Sequence, residues 1–272
     1  MDKEQKCFSK YLAEGGTIHF HGNVQPCQEW MDFLSQSQIL FRNTPDFLAL
    51  GEKKAVIIEH FEFDCYPANR KGSQNQREQA RIDRKRKSLP VTKEGLIYED
   101  IIHGESSYED YVNNLTRNFN SHYKKIESYK QNLLNDGLID SETEIKVAFL
   151  IEDASPLPCS YIDHSQGRPK MALIDLAHSP EFIELFEKSP NVDFVVSCST
   201  TGEENWIWFI DRTEIFAYKK ETIDYKNEEF ISWKPCVVGA AYSFTDEELQ
   251  ELMRKKEKMV QKHDDEERRN LG

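Results

Sequence analysis

The chain has 272 residues, enough for one large hydrophobic core or two small ones, and 35 Lys and Arg against 48 Asp and Glu give it a net charge of −13. With 16 Phe, 11 Tyr and 4 Trp it is too aromatic for a disordered chain, and no apolar run approaches the roughly 18–20 residues of a membrane span. The start, MDKEQKCFSK, lacks the apolar stretch of a secretory signal, so export is not expected, and P-loop, dinucleotide-fingerprint and GxSxG motifs are absent. Six cysteines (Cys7, Cys27, Cys65, Cys159, Cys198, Cys236) form no CxxC pair and read as reduced thiols, so a cytoplasmic protein with no membrane partner is expected.

In chain order, residues 3–13 read as a short helix before Gly15-Gly16, Thr17 to Phe20 as a strand, and Gln28 to Leu40 as a helix holding Trp30, Met31, Phe33 and Leu34 inside. Phe47–Leu50 and Ala55–Phe61 flank the turn Gly51-Glu52-Lys53-Lys54, which is the pattern of a hairpin. Residues 65–107 form a polar insertion, helical around Gln74–Lys87. Ser107 caps a long helix predicted to run to Asn135 before Gly137. Strands are expected at Lys146–Ile151, Met171–Leu176, Val192–Ser197 and Trp206–Asp211, with a short helix at Ser179–Glu187. Thr245 and Glu248 form a capping box for a final charged helix. This order predicts an α/β domain over 1–244, a mixed central sheet flanked by helices, with the insertion 65–107 inside it and the charged helix 245–272 appended.

A tight hairpin sets Leu50 opposite Ala55, Leu48 opposite Ile57, and so Asp46 opposite Glu59. Directly opposed side chains have Cβ atoms roughly 4.5–5.5 Å apart, and two like charges there repel unless a cation lies between them. Mg²⁺, which favours carboxylate oxygens at about 2.1 Å, would neutralise the pair, as would Mn²⁺. The plainer reading is that the two acids mark the polar ends of two strands.

Pro45-Asp46, a short strand, and Ile57-Ile58-Glu59 on the next strand resemble the PD-(D/E)XK nuclease superfamily. The resemblance spans about residues 27–62, reaching towards the strand at Lys146–Ile151. It implies a restriction-endonuclease-like core in which Asp46 and Glu59 hold a catalytic Mg²⁺ (or Mn²⁺). The family's Lys, two residues after the Glu, is here Phe61. Ile58-Glu59-His60-Phe61 is similar to variants in some DNA helicases, where a following helix supplies the Lys. On the 107–135 helix, Asn114, Asn118, His122, Lys125 and Tyr129 fall within an arc of about 80° beside the apolar stripe. Lys125 and His122 are therefore the candidate catalytic partners of Asp46 and Glu59. The family also implies an acid from the preceding helix, for which Glu29 is the candidate metal ligand.

From Arg70 to Lys87 eight basic side chains stand against two acidic ones. Arg77, Arg81, Arg84, Lys85, Arg86 and Lys87 are candidate contacts to nucleic-acid phosphates, the alternative being a solvated loop. His19 and His21 share a strand face without a third ligand, and Trp206 with Trp208 reads as core. The expectation is a Mg²⁺-dependent endonuclease that hydrolyses phosphodiester bonds of DNA (or RNA). The alternative is a non-catalytic nuclease-fold protein that binds or regulates a nucleic-acid-binding partner. The C-terminal helix offers a surface for a protein partner or a second copy.

Overall fold

A computed structural model describes residues 3–13, 17–20, 23–69, 72–74, 76–77, 80–81, 84, 96–98, 106–155, 159–165, 167–201, 204–231 and 240–242. Its elements begin with α1 (Lys3–Phe8), which runs into a π-helical turn (Ser9–Ala13). Next come β1 (Thr17–Phe20), α2 (Gln25–Gln36), β2 (Gln38–Phe41), β3 (Phe47–Leu50) and β4 (Lys54–Phe63). The insertion contributes β5 (Ala68–Asn69), β6 (Gly72–Ser73) and β7 (Leu96–Tyr98). Then follow α3 (Tyr108–Tyr123), α4 (Ile126–Asn135), β8 (Glu144–Asp153), β9 (Ser160–Asp163), β10 (Lys170–Leu173) and α5 (Pro180–Glu187). The remainder is β11 (Phe194–Thr201), β12 (Glu204–Asp211), α6 (Ile215–Tyr218), β13 (Phe230–Ile231) and β14 (Ala240–Tyr242).

The chain divides into two compact units, residues 1–75 with 104–234, and residues 76–103 with 235–272. In the first, seven strands form one mixed sheet in the order β1-β12-β11-β8-β4-β3-β2. β4, β8 and β11 run parallel to one another, whereas β2, β3 and β4 form an antiparallel meander. Strand alternation divides the sheet's side chains between two apolar layers. On one face Leu48, Ile57, Phe61 and Phe149 pack under α3, α4 and α5 through Leu115, Phe119, Leu133 and Phe182. On the other, Val56, Ile58, Leu150 and Val196 pack under α1 and α2 through Phe8, Trp30 and Leu34. Each large side chain removed from water here contributes roughly 1.5–3 kcal/mol. In the second unit, β7 pairs antiparallel with β14, Ile97 opposite Ala241. Among the described residues, no helix is long and apolar enough to cross a membrane.

The strands predicted at Met171–Leu176 and Val192–Ser197 run instead over Lys170–Leu173 and Phe194–Thr201, and three further elements depart from expectation. The helix predicted over Gln28–Leu40 starts at Gln25 and stops at Gln36, and Gln38–Phe41 becomes an edge strand paired with β3. Ile39 and Phe41 favour extended backbone, and the ladder to β3 gives their backbone groups partners. The helix predicted over 107–135 is broken at Lys124-Lys125 into α3 and α4. Its start is as read: Ser107 accepts a hydrogen bond from the Asp110 N–H at 3.0 Å. The strand predicted at Lys146–Ile151 is longer, spanning ten residues, Glu144–Asp153. The final charged helix lies outside the described residues.

Candidate functional site

The β3–β4 hairpin has the register the sequence predicts, with Leu50 opposite Ala55, Leu48 opposite Ile57 and Phe47 opposite Ile58. The Gly51 N–H closes the turn onto the Lys54 carbonyl at 2.8 Å. A Cβ at Gly51 would stand 2.8 Å from the Phe33 ring, so any other residue there would push that ring aside.

One step beyond the paired strand, Asp46 is fixed from both ends. Its carbonyl accepts from the Arg42 N–H at 3.0 Å, and its carboxylate Oδ2 accepts from the His60 N–H at 2.8 Å. Glu59 projects from β4 into the layer under α3 and is only 2% exposed. Its Oε2 lies 2.7 Å from His122 Nδ1. Phe61, two residues on and facing the same way, stacks on the His122 ring with centroids 5.0 Å apart. Phe61 is thus an aromatic that supports an imidazole.

The polar row of α3 runs along the end of β4 and the segment after it. The Asn114 side-chain amide donates to the Asp64 carbonyl at 2.8 Å and the Tyr66 carbonyl at 2.7 Å. Asn118 donates to the Glu62 carbonyl at 2.7 Å, and His122 reaches Glu59. These bonds fix the rotation of α3 against the strand, and with it the imidazole. Tyr129 of α4 stands beside the same carboxylate. Burial first, then Glu59, pushes its phenol well above the usual value.

Burial and the neighbouring Glu59 charge push the Asp46 carboxyl up to about 6, against the opposing pull of the His60 N–H and the His60 and His122 rings. The two carboxylates therefore sense each other, as opposed like charges must. Among the described residues, no Lys or Arg forms an ion pair with either of them; the ring that contacts Glu59 is the His122 imidazole. Two hard oxygen donors in this state suit Mg²⁺ or Mn²⁺. The added imidazole and phenol can exchange or donate protons.

The other predicted site residues lie elsewhere. Lys125 falls in the break between α3 and α4. Its backbone closes the turn (N–H to the His122 carbonyl, 3.0 Å), its side chain is exposed, and it forms no ion pair with either carboxylate among the described residues. Glu29 is on α2, which packs through Cys27, Trp30 and Leu34 on the sheet face opposite Glu59. There it accepts a hydrogen bond from Gln25 at 3.1 Å and lines a groove with Lys54, Asp193 and Asp211. It is not brought to the hairpin acids. Arg77, Arg81 and Arg84 belong to the second unit, where Arg84 Nε donates to the Ala80 carbonyl at 3.1 Å in a helical turn. Lys85, Arg86 and Lys87 lie outside the described residues. Tyr129 joins the site without having been singled out. The helical arc shared with His122 is the signal that places it.

Compared with known proteins, this chain matches no family model, no curated protein and no solved structure.

Proposed function

We propose that this protein is a Mg²⁺-dependent nuclease that hydrolyses phosphodiester bonds of DNA (or RNA), built on a restriction-endonuclease-like core. The observation that carries the reading is the approach of Asp46 and Glu59 on one face of the hairpin, with the Asp46 carboxyl pushed up beside its partner. The order of elements agrees with it: a helix (α2), an antiparallel meander (β2, β3, β4), a crossover helix pair (α3, α4), and β8 returning parallel to β4.

Asp46 and Glu59 would hold the cation, which would supply positive charge to the phosphoryl oxygens and to the departing alkoxide. His122, held by Glu59 on one side and Phe61 on the other, takes the place of the family's Lys. It accepts the proton of the attacking water. The Asp46 carboxylate is kept in position by the His60 N–H and does not depend on the substrate for its orientation. Arg77, Arg81 and Arg84 are proposed phosphate contacts, and DNA the preferred partner.

One observation favours the non-catalytic alternative: Phe61 replaces the Lys, and Lys125 points to solvent. Incubation of the full chain with single- and double-stranded DNA and RNA, with Mg²⁺ or Mn²⁺ and with an EDTA control, separates the two. Cleavage that EDTA abolishes is expected. Binding of nucleic acid without cleavage under every divalent condition would favour the non-catalytic reading.

A further inference from the structure

The other face of β4 carries a second group of ligand-type side chains. Alternation along the strand turns Glu59 towards α3 and His60 into the layer beneath α1. There Cys7 of α1, His60 of β4 and Glu152 of β8 converge, one donor atom from each lying within 4.8 Å of the other two. His60 Nε2 is 3.4 Å from Glu152 Oε2, but out of hydrogen-bonding geometry. That nitrogen is buried without a hydrogen-bond partner, in a side chain 4% exposed.

The surroundings fix the carboxylate in place. The Tyr11 hydroxyl donates to Glu152 Oε1 at 3.0 Å and lies 2.8 Å from Thr200 Oγ1, while Lys10 Nζ stands 3.9 Å from the same Oε1. Oε2 is left facing His60. Support of a ligand's second oxygen by a neighbouring hydroxyl is how metal sites orient their carboxylates.

We propose that Cys7, His60 and Glu152 bind one zinc-class divalent cation, leaving a fourth position for water or another small ligand. A thiolate, an imidazole and one carboxylate oxygen make a mixed donor set that suits Zn²⁺ or Co²⁺ in tetrahedral geometry and suits Mg²⁺ poorly. Burial and then Glu152 hold the free thiol of Cys7 far above its usual value, so the metal-free protein carries it protonated. On binding, the sulfur–metal bond forms as the thiol proton leaves to the buffer. The cation would lock α1 to the two central strands. This site differs from the hairpin acids in donor chemistry and in the sheet face it occupies, and is joined to them through the His60 N–H that holds Asp46.

Co²⁺ titration of the reduced full-length protein tests it, because only a thiolate ligand gives the near-ultraviolet charge-transfer band. Expected are that band at one equivalent, its persistence in excess Mg²⁺, and its displacement by one equivalent of Zn²⁺. Cys7→Ser should remove it, His60→Gln should weaken Co²⁺ binding at least about 10-fold, and Cys27→Ser, a buried thiol elsewhere in the same layer, should keep it. If Cys7→Ser does not fold, as judged by circular dichroism, His60→Gln alone decides. No band in the folded parent, a band that survives in folded Cys7→Ser, or unchanged affinity in His60→Gln would overturn the proposal and leave His60 and Glu152 as an ordinary buried ion pair.

Discussion

Asp46→Asn is expected to abolish metal-dependent cleavage and, at pH 7.5, to make the folded protein more stable than the parent. The reason is the position of its proton equilibrium. In the folded chain the carboxyl is pushed up to about 6, chiefly by burial and by Glu59, from an ordinary value of 3.8. Between those two values the folded state holds a proton that the unfolded state has released, so stability falls as pH rises through that window. Above it the whole penalty is present. Asparagine keeps an oxygen to accept from the His60 N–H and carries no charge. Since Asp46 is only half buried, solvent screening leaves a gain on the order of 1 kcal/mol, or about 2–4 °C in Tm. The difference should shrink towards zero at pH 4. Mg²⁺ should raise the Tm of the parent more than that of the variant, because a cation bound only by the folded state stabilises it. Thermal melts at pH 4, 6 and 7.5 with and without Mg²⁺ give the answer. A variant less stable than the parent at every pH would mean that the carboxylates do not repel each other.

His122→Gln is expected to lower cleavage by about 10²–10⁴-fold with little change in folding, while Lys125→Ala leaves it unchanged. Glutamine can still donate to Glu59, so the buried carboxylate keeps a partner and the loss reports the imidazole's proton chemistry. The contrast follows from the helix break. An unbroken helix would carry Lys125 along the row of Asn114, Asn118 and His122, whereas the turn at Lys124-Lys125 exposes it. Single-turnover rates of the two variants at saturating Mg²⁺ are the comparison. Loss of rate in Lys125→Ala equal to that in His122→Gln would return the catalytic role to the lysine.

What the sequence conveys follows from the range of its interactions. The hairpin register is legible because the turn is short and Gly51 sits at its start, so Asp46 and Glu59 can be paired by counting. The α3 row is legible because helical period alone places Asn114, Asn118 and His122 on one side over about two turns. Counting misplaces Lys125, since the break that separates α3 from α4 has no Pro or Gly to announce it, although Tyr129 beyond the break still meets Glu59. The strand at Gln38–Phe41 is hidden for a related reason: Ile39 and Leu40 continue the apolar pattern of α2, and only pairing with β3 decides between helix and strand. Glu29 is placed wrongly by proximity in sequence, because α2 covers the face of the sheet that Glu59 does not occupy. The group of Cys7, His60 and Glu152 leaves no trace in spacing at all. Its members are separated by more than fifty residues each and meet only because β4 and β8 are adjacent and α1 folds over them.

Diffraction from crystals soaked in Mn²⁺, with anomalous data, addresses the shared cation most directly. An anomalous peak bounded by the Asp46 and Glu59 carboxylates is expected, absent from crystals of Glu59→Gln. Well-ordered carboxylates with no peak between them, or an Asp46 side chain turned away from Glu59, would contradict it.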